Sequence, residues 1–398
     1  MPRTALAWRI AAAAASLALA PAAAEAGEDT PALAVNAAYT ADVAGVVGGV
    51  HPHAGRFLDN LDVTADLDLE RAVGWSGAVL HGYLLNNSGG APNDLAATLQ
   101  GVDNIEVAKP RLRIFEVWLQ ESFAGDRASV LAGLYDLNSE FYANDAAGLL
   151  INPSFGIGSE LASTGPNGPS IFPSTALGVR VDAAVGDQGY VRAAVLNAKS
   201  GVLGDPGGVD FGFDQGVLTI AEAGVSGPTR LGLGAWRYSR RQDDIRHVDA
   251  LGAPVRRRAQ GVYVLGEQHL FGGEDGPEAS AFVRAGLSDA RTTPFDGGWQ
   301  AGILVSRPFA SRPDSAISFG VQQGLLSHGF RANLRDAGVS AARAETGFEV
   351  TYSDRLTRRL TVQPDLQWIR DAGGDRQAKD RWIASLRVTI DLWPTPAD

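Results

Sequence analysis

Cysteine is absent from this chain of 398 residues, and lysine occurs only as Lys109, Lys199 and Lys379. The absence of cysteine excludes disulfides, thiolate metal sites and thiol nucleophiles. The formal net charge of −11 argues against a nucleic-acid partner, which usually meets a basic protein surface. Beyond the N-terminal region no apolar run reaches about 18 residues, so no transmembrane helix is predicted.

Motifs of enzymes are absent as well. The sequence has no His-Glu-x-x-His, no Gly-x-Ser-x-Gly and no phosphate-binding loop. Acidic residues are frequent, but they follow the alternation of the strands, as a solvated face would. We therefore expect no catalytic residue, no cofactor and no metal site.

The first 26 residues are typical of a secretory signal peptide. Arg3 gives the positive start, residues 10–20 are apolar, and Ala24-Glu25-Ala26 fits the cleavage site. The expected organisation is a signal peptide over 1–26, a β-domain over 27–393 and a C-terminal extension over 394–398. An exported chain without a transmembrane helix is either soluble outside the inner membrane or an outer-membrane barrel.

Alternation of apolar and polar residues dominates the rest of the chain, as in Leu61-Asp62-Val63-Thr64-Ala65-Asp66-Leu67-Asp68-Leu69. Such segments are about 10 residues long, which is enough for a tilted strand to cross a bilayer. Sixteen strands are predicted, at 33–43, 58–70, 75–86, 110–123, 128–137, 175–185, 189–198, 216–225, 229–239, 259–271, 278–288, 297–307, 314–324, 344–353, 359–369 and 381–393.

The predicted connections alternate strictly between long and short, and the longest spans 138–174. An up-and-down membrane barrel has this rhythm, with short periplasmic turns and long extracellular loops. Sixteen strands enclose a lumen wide enough for water, so the polar face is expected to point inward. The charged residues assigned to that face are Asp62, Asp66, Asp68, Arg180, Asp182, Arg192, Arg284, Asp365 and Arg387.

Two tryptophans support this choice of faces. Trp368 ends one predicted strand and Trp382 begins the next, both in phase with the apolar residues. Aromatic side chains are enriched where a barrel meets the lipid interface. Trp368 and Trp382 are therefore expected to belong to an aromatic girdle.

Two blocks of sequence carry a family resemblance. The first comprises Gly133-Leu134-Tyr135-Asp136-Leu137-Asn138-Ser139-Glu140-Phe141, Asn152-Pro153-Ser154-Phe155-Gly156-Ile157-Gly158 and the segments 165–173 and 176–180; the second is 352–367. Both resemble the carbohydrate-selective porins of the OprB family. The resemblance implies a 16-stranded outer-membrane channel for passive sugar uptake, with inward-folded loops. It assigns Asn138, Glu140 and the loop that follows to the constriction.

The resemblance also implies partners, which are small sugars, outer-membrane lipid, periplasmic chaperones and the barrel-assembly machinery. The barrel is expected to work as a monomer or as a homotrimer. One departure from the family pattern concerns the end of the chain. Barrels of this kind usually end on an aromatic residue, whereas here Trp393 is followed by five more residues.

A sugar path needs groups that bond hydroxyls and, often, aromatic surface for the ring. Arginine supplies several donors from a rigid fork that does not titrate. The candidates, chosen by inward position in the alternation, are Glu116, Trp118, Gln120, Arg180, Arg192, Arg237, Arg284 and Arg387. For any single arginine, the simpler interpretation is that its side chain is part of the solvated wall of the lumen. Trp118 would be a girdle residue if it faced outward.

Two other functions remain open from the sequence. One is an outer-membrane porin of general or anion-preferring selectivity. The other is a secreted β-rich sugar hydrolase, which would hold two carboxylates in a cleft. The hypothesis preferred here is the porin with carbohydrate selectivity, narrowed by the 138–174 loop.

Overall fold

A computed structural model describes residues 31–50, 53–202, 205, 208–272 and 276–393. Across these residues sixteen strands form one closed antiparallel barrel, in which β1 pairs with β16. This confirms the predicted fold, whereas the predicted signal peptide (1–26) and C-terminal extension (394–398) lie outside the described residues. The strands are β1 (Leu33–Gly48), β2 (Ala54–Asp68), β3 (Ala78–Gly89), β4 (Arg111–Phe123), β5 (Ala128–Tyr135), β6 (Ala176–Val185), β7 (Gly189–Asn197), β8 (Val217–Val225), β9 (Thr229–Val248), β10 (Pro254–Phe271), β11 (Glu278–Ser288), β12 (Phe295–Ser306), β13 (Ser315–Leu326), β14 (Ala344–Arg355), β15 (Leu360–Arg370) and β16 (Arg381–Asp391).

The strands form because each presents an apolar side to lipid. On β6, for example, Val179, Val181 and Val185 are exposed on the outer surface, while Arg180 between them is buried on the inside. Successive side chains of a strand point to opposite faces. A sequence that alternates in this way fixes which face of the barrel wall is outside.

Helices occur only between strands in the described residues. The α-helices are α1 (Leu69–Val73), α2 (Asn93–Ala96), α3 (Ser159–Ala162) and α4 (His328–Asp336), and short 3₁₀ turns lie at Leu137–Ser139, Asp145–Ala147, Pro153–Phe155 and Ala372–Gly374. None of the helices in the described part of the chain is long and apolar enough to cross a membrane.

The two ends of the barrel differ in their connections. One end, the long-loop rim, carries the connections 90–110, 136–175, 198–216 and 327–343; the other, the short-turn rim, carries the tight turns 124–127, 186–188, 226–228 and 356–359. The predicted strict alternation of lengths is nevertheless wrong. On the long-loop rim, 49–53 and 249–253 are shorter than 69–77 on the short-turn rim.

The reason is that strands continue beyond the lipid. β9 extends to Val248 and β10 begins at Pro254, although alternation predicted 229–239 and 259–271. The extra residues are mostly polar, yet they pair across the hairpin, as Arg256 does with Asp243 at 2.6 Å. Residues predicted as loop are therefore strand.

The interior is not uniformly polar, which corrects the expected division of faces. The connection 136–175 folds into the lumen and packs on an apolar wall, defined by the inward side chains Leu196, Leu218, Ile220, Trp236, Tyr263 and Leu265. These residues belong to strands β7 to β10. Of the hydrophobic clusters in the described residues, the contact between this wall and the loop is the largest.

Candidate functional site

The inward loop 136–175 is held by arginine on one side. Arg284 of β11 is fully buried, and its guanidinium donates to the carbonyls of Tyr142 and Gly156, both at 3.0 Å, and of Ser154 at 3.1 Å. Asn138 Nδ2 also donates to the Gly156 carbonyl, at 3.1 Å. Charge-assisted hydrogen bonds of this kind are stronger than neutral ones. Arg284 therefore fixes the loop backbone.

A polar wall holds the tip of the same loop from the opposite side. It consists of the inward side chains Glu345, Glu349, Gln363, Gln367 and Arg387 of β14 to β16. The Glu349 carboxylate accepts from the amides of Ile151 and Asn152, the latter at 2.9 Å. Asn152 Nδ2 donates to Gln367 Oε1 at 3.0 Å. Directional bonds thus replace hydrophobic packing on this side.

Glycines in the wall let the loop approach closely. A Cβ atom on Gly320 would lie 2.5 Å from the ring of Phe155, and one on Gly286 would collide with the Glu160 carboxylate. Carbon atoms that are not bonded normally stay about 3.5–4.0 Å apart. The inner surface of β11 and β13 is therefore shaped to receive the loop.

Loop residue Glu140 lies at the centre of a cluster of charged groups. Arg180 of β6 donates to both Glu140 carboxylate oxygens, from Nε at 2.8 Å and from Nη2 at 2.9 Å. Arg180 Nη2 also donates to Gln120 Oε1 at 2.6 Å. Gln120 and Arg180 meet because both pair with Leu131 across the β4–β5–β6 register. Arg180 is thereby bound on the inner wall in a fixed, bidentate geometry.

Arg192 of β7 completes this group. Its Nη1 donates to the Glu140 carbonyl at 2.7 Å, and its Nε lies 3.1 Å from Asp182 Oδ2. The side chains of Glu140, Asp182 and Arg192 are 25%, 28% and 16% exposed, against 3% for Arg180. Gln120, Glu140, Arg180, Asp182 and Arg192 are called the Glu140 cluster below. Its water-accessible groups are two carboxylates and one guanidinium.

A capped turn places Glu140 in this position. Asp136 caps the 3₁₀ turn Leu137–Ser139, because its Oδ1 accepts from the Asn138 amide at 2.8 Å. The Asp136 amide donates to Glu116 Oε1 on β4 at 2.9 Å. Burial raises the pKa of Asp136 to about 7, although the Asn138 hydrogen bond opposes the shift. The start of the loop is therefore bonded both to itself and to the wall.

An aromatic surface lies on the adjacent strands. The rings of Trp118 on β4 and His81 on β3 stack, with centroids 4.6 Å apart and planes 14° apart. His81 Nδ1 lies 2.7 Å from Asp66 Oδ1 on β2. Both Trp118 and His81 are partly exposed. The inner side of β2 to β4 thus combines an apolar ring face with a carboxylate.

A second loop enters the lumen, which alternation did not predict. Arg387 of β16 donates to Asp42 of β1, at 2.7 Å from Nη2, and to Asn104 of the connection 90–110, also at 2.7 Å. Asp103 of the same connection lies 3.4 Å from Arg387. Burial and the neighbouring Asp42 carboxylate raise the pKa of Asp103 well above its usual range. This group joins the first and last strands.

The structure brings together six of the ten predicted path residues at the turn 136–141. These six are Glu116, Gln120, Asn138, Glu140, Arg180 and Arg192. Trp118 faces inward beside them and packs against the hydrophobic core. Arg284 and Arg387 lie elsewhere in the lumen, and both are fully buried against loop atoms.

The predicted inward position of Arg237 is wrong. Arg237 is exposed on the outer face of β9, in phase with the lipid-facing Leu231 and Leu233. The inward positions on either side of it belong to Trp236 and Tyr238, which pack in the core. Assigning polar residues to the lumen fails here because the inner wall is apolar.

The two predicted girdle tryptophans lie on the outer face at the long-loop rim. Trp368 and Trp382 stack at 6.1 Å between centroids, and Phe348 stacks on Trp368 at 5.2 Å. Trp368 Nε1 donates to Asp380 Oδ2 at 3.0 Å, and Trp382 is 42% exposed. These are amphipathic side chains with one bonded polar end and one apolar face, as at a lipid interface.

Several residues of this site were missed as path residues. Alternation placed Asp66 and Asp182 on the inward face, but their partners His81 and Arg192 emerge only from the strand register. Asp103 had no signal, because it lies in a connection without periodicity. Looking for acidic residues paired across strands with His or Arg would have identified Asp66 and Asp182.

Comparison with known proteins supplies a family. The sequence model of the carbohydrate-selective porins, OprB family, matches residues 53–392. Porin B of Pseudomonas aeruginosa is 21% identical over 375 residues, which cover 84% of this chain and 81% of that protein.

Solved structures agree in fold. The high-pH structure of OprB from Pseudomonas putida superposes with a TM-score of 0.82 at 21% identity, covering 91% of this chain and 94% of that one. The outer-membrane channel DcaP of Acinetobacter baumannii gives a TM-score of 0.55 at 10% identity, covering 90% and 97%. At these identities the structural likeness concerns the barrel and its connectivity.

Proposed function

Because the chain belongs to the carbohydrate-selective porin family, OprB, we propose that small sugars diffuse passively along the inner face of β2 to β7, past the Glu140 cluster. The barrel is located in the bacterial outer membrane, and it is a channel. Passive diffusion through a water-filled lumen requires no cofactor and no energy source. The narrowing is assigned to the inward loop 138–174.

The observation that carries this path is the juxtaposition of partly exposed acidic, basic and aromatic side chains on neighbouring strands. Glu140 and Asp182 offer acceptors and Arg192 offers donors, which together match sugar hydroxyls. The rings of Trp118 and His81 offer surface for the apolar face of a sugar ring. The path therefore binds a neutral polyol by several weak contacts, each compatible with release.

The charge distribution favours neutral solutes over anions. Arg180 is 3% exposed and is bonded to Glu140, so its charge is balanced by the Glu140 carboxylate and is shielded from the water of the lumen. Asp182 is paired in the same way with Arg192, so the two carboxylates and the two guanidinium groups of the Glu140 cluster sum to no net charge. A path without net positive charge does not concentrate anions, which disfavours the anion-preferring alternative.

Single-channel recording in planar bilayers tests the proposal. Neutral mono- and disaccharides are added in turn, and the concentration that halves the ionic current is measured. In Trp118→Ala we expect that concentration to rise roughly 3- to 10-fold, the equivalent of an aromatic contact of about 0.5–1.5 kcal/mol. Trp382→Ala removes the same side chain from the outer face and is expected to leave the block unchanged.

Two results would contradict the proposal in different ways. If no sugar reduces the current of the unaltered barrel, carbohydrate selectivity is wrong for this chain. If sugars block Trp118→Ala and the unaltered barrel equally, the path lies along another part of the wall. Heat-dependent mobility in gel electrophoresis verifies that both variants are folded barrels.

A further inference from the structure

The hairpin of β9 and β10 rises above the lipid-facing band of the barrel. β9 has 20 residues and β10 has 18, whereas a tilted strand needs about 9–11 to cross a bilayer. Its tip, 249–253, lies on the long-loop rim, which faces outward in barrels of this type. Although the chain is acidic, the part of the hairpin between residues 237 and 258 carries seven arginines: Arg237, Arg240, Arg241, Arg246, Arg256, Arg257 and Arg258.

The outer face of the hairpin changes from apolar to basic along its length. Leu233 and Val264 pair across the hairpin and are 62% and 51% exposed, as lipid-facing residues are. Further towards the tip, Arg237 pairs with Gln260, and Arg241 pairs with Arg258. These pairs continue the outer face, because directly opposed residues in a sheet share one side. The basic residues therefore begin where the apolar band ends.

Neighbouring acids neutralise only part of this charge. Arg256 pairs with Asp243 at 2.6 Å, and Arg246 pairs with Asp336 of α4 at 2.7 Å. Among the residues that the structure describes, the side chains of Arg237, Arg241 and Arg258 have no ion-pair partner.

Arg241 and Arg258 in particular are opposed directly across the strands. Like charges in that arrangement repel each other and destabilise the hairpin. An anion between the two guanidinium groups would remove this repulsion. The register of the hairpin therefore favours a negatively charged ligand at this level.

We infer that Arg237, Arg241 and Arg258 bind the phosphate groups of a phosphorylated glycolipid in the outer leaflet, with its acyl chains on the apolar band below. Guanidinium groups match phosphate oxygens in bidentate geometry. The level of the three arginines, directly above exposed leucine and valine, is the level of a lipid headgroup. This inference uses the location in the outer membrane, and it is independent of the proposed sugar path.

Binding of bis-phosphorylated lipid A to the detergent-solubilised barrel, titrated by native mass spectrometry, tests the inference. The variant carries Arg237→Gln, Arg241→Gln and Arg258→Gln. At about 1 kcal/mol per arginine near an anionic lipid surface, we expect roughly 100-fold weaker binding. A matched control carries Arg127→Gln, Arg358→Gln and Arg359→Gln at the short-turn rim, and it should bind as the unaltered barrel does.

Two further probes separate the sources of phosphate. Dephosphorylated lipid A should bind the unaltered barrel and the triple variant equally weakly, and inorganic pyrophosphate should not compete with the lipid. Sugar block of the current should be the same in all three proteins. If the triple variant does not fold, Arg241→Gln alone is used, with an expected loss of roughly fivefold.

Three outcomes would overturn the inference. The first is equal binding of lipid A by the triple variant and the control. The second is full competition by pyrophosphate, which would identify a site for a free anion. The third is a change of oligomeric mass in the triple variant without a change in lipid binding, which would make the basic face a contact between copies.

Discussion

The two walls that hold the inward loop do so by different physics. Beneath the loop, the apolar wall of β7 to β10 contributes packed side chains such as Trp236 and Tyr263. Opposite, the polar wall of β14 to β16 contributes hydrogen bonds to the loop backbone, as Glu349 does to Asn152 at 2.9 Å. Packing is strong and non-directional, whereas hydrogen bonds fix positions. The apolar wall keeps the loop in the lumen, and the polar wall determines where its tip lies.

The largest expected effect comes from a cavity in the apolar wall. Trp236 is 2% exposed and lies in the core beside Tyr238. Trp236→Ala should lower the free energy of unfolding by about 3–5 kcal/mol, because lost burial and an unfilled cavity add. The midpoint of urea unfolding in lipid vesicles measures this.

Leu233→Ala on the same strand is the matched control, since Leu233 is 62% exposed on the outer face. Its midpoint should change much less than that of Trp236→Ala. Equal effects of the two substitutions would mean that the loop contributes little to stability through the apolar wall.

A smaller effect is expected on the polar wall. Glu349→Gln leaves one oxygen for the two amides of Ile151 and Asn152, and a buried unsatisfied group costs about 1–3 kcal/mol. The loop should remain inside on the apolar wall while its tip loosens. We therefore expect a moderate fall in stability with a distinct increase in open-channel current noise.

Glu278→Gln removes the same charge where the partner is Arg307, 3.1 Å away at the short-turn rim. It should leave the current noise unaltered. If the current noise of Glu349→Gln is as low as that of this control, the hydrogen bonds of the polar wall do not position the tip of the loop.

The smallest effect concerns pH. The pKa of Asp136 is raised by burial from 3.8 to about 7, so the stabilising contribution of the protonated form is fully present below pH 3.8. It is lost as the pH rises to about 7. Between pH 6 and pH 8 the carboxylate ionises beside Glu116, and the reversal potential in a salt gradient should move towards greater cation preference.

Asp136→Asn should reduce this pH-dependent movement of the reversal potential, because the amide does not ionise. Asp187→Asn, in the exposed turn 186–188, should behave as the unaltered barrel does. A pH response that is identical in both variants would assign the titration to another group.

The sequence predicted the barrel well because lipid on one side imposes a period of two on each strand. The predicted strand 278–288 is identical to the observed one, and 175–185 differs from β6 by one residue. Where lipid is absent the rule fails, and β9 continues to Val248 with charged residues on both faces.

The site was predictable only in part, for a related reason. Gln120, Arg180 and Arg192 were found because they occupy inward positions of regular strands. Besides Gln300, the partners of Arg284 are backbone carbonyls of a loop more than 100 positions away in the chain, and no local pattern encodes them. Arg237 was assigned to the lumen because alternation assumes that the polar residues of a strand face inward. On β9 the inner wall is apolar, so that assumption fails.

The ion pair between Asp42 and Arg387 has a consequence for the order of assembly. Asp42 belongs to the first strand and Arg387 to the last, so the pair forms only when the sheet closes on itself. Before closure, Asp103 and Asn104 lack the Arg387 guanidinium as a partner, so the connection 90–110 is not attached to the last strand. Entry of the connection 90–110 into the lumen is therefore coupled to closure of the barrel, so that a closed barrel already contains this loop.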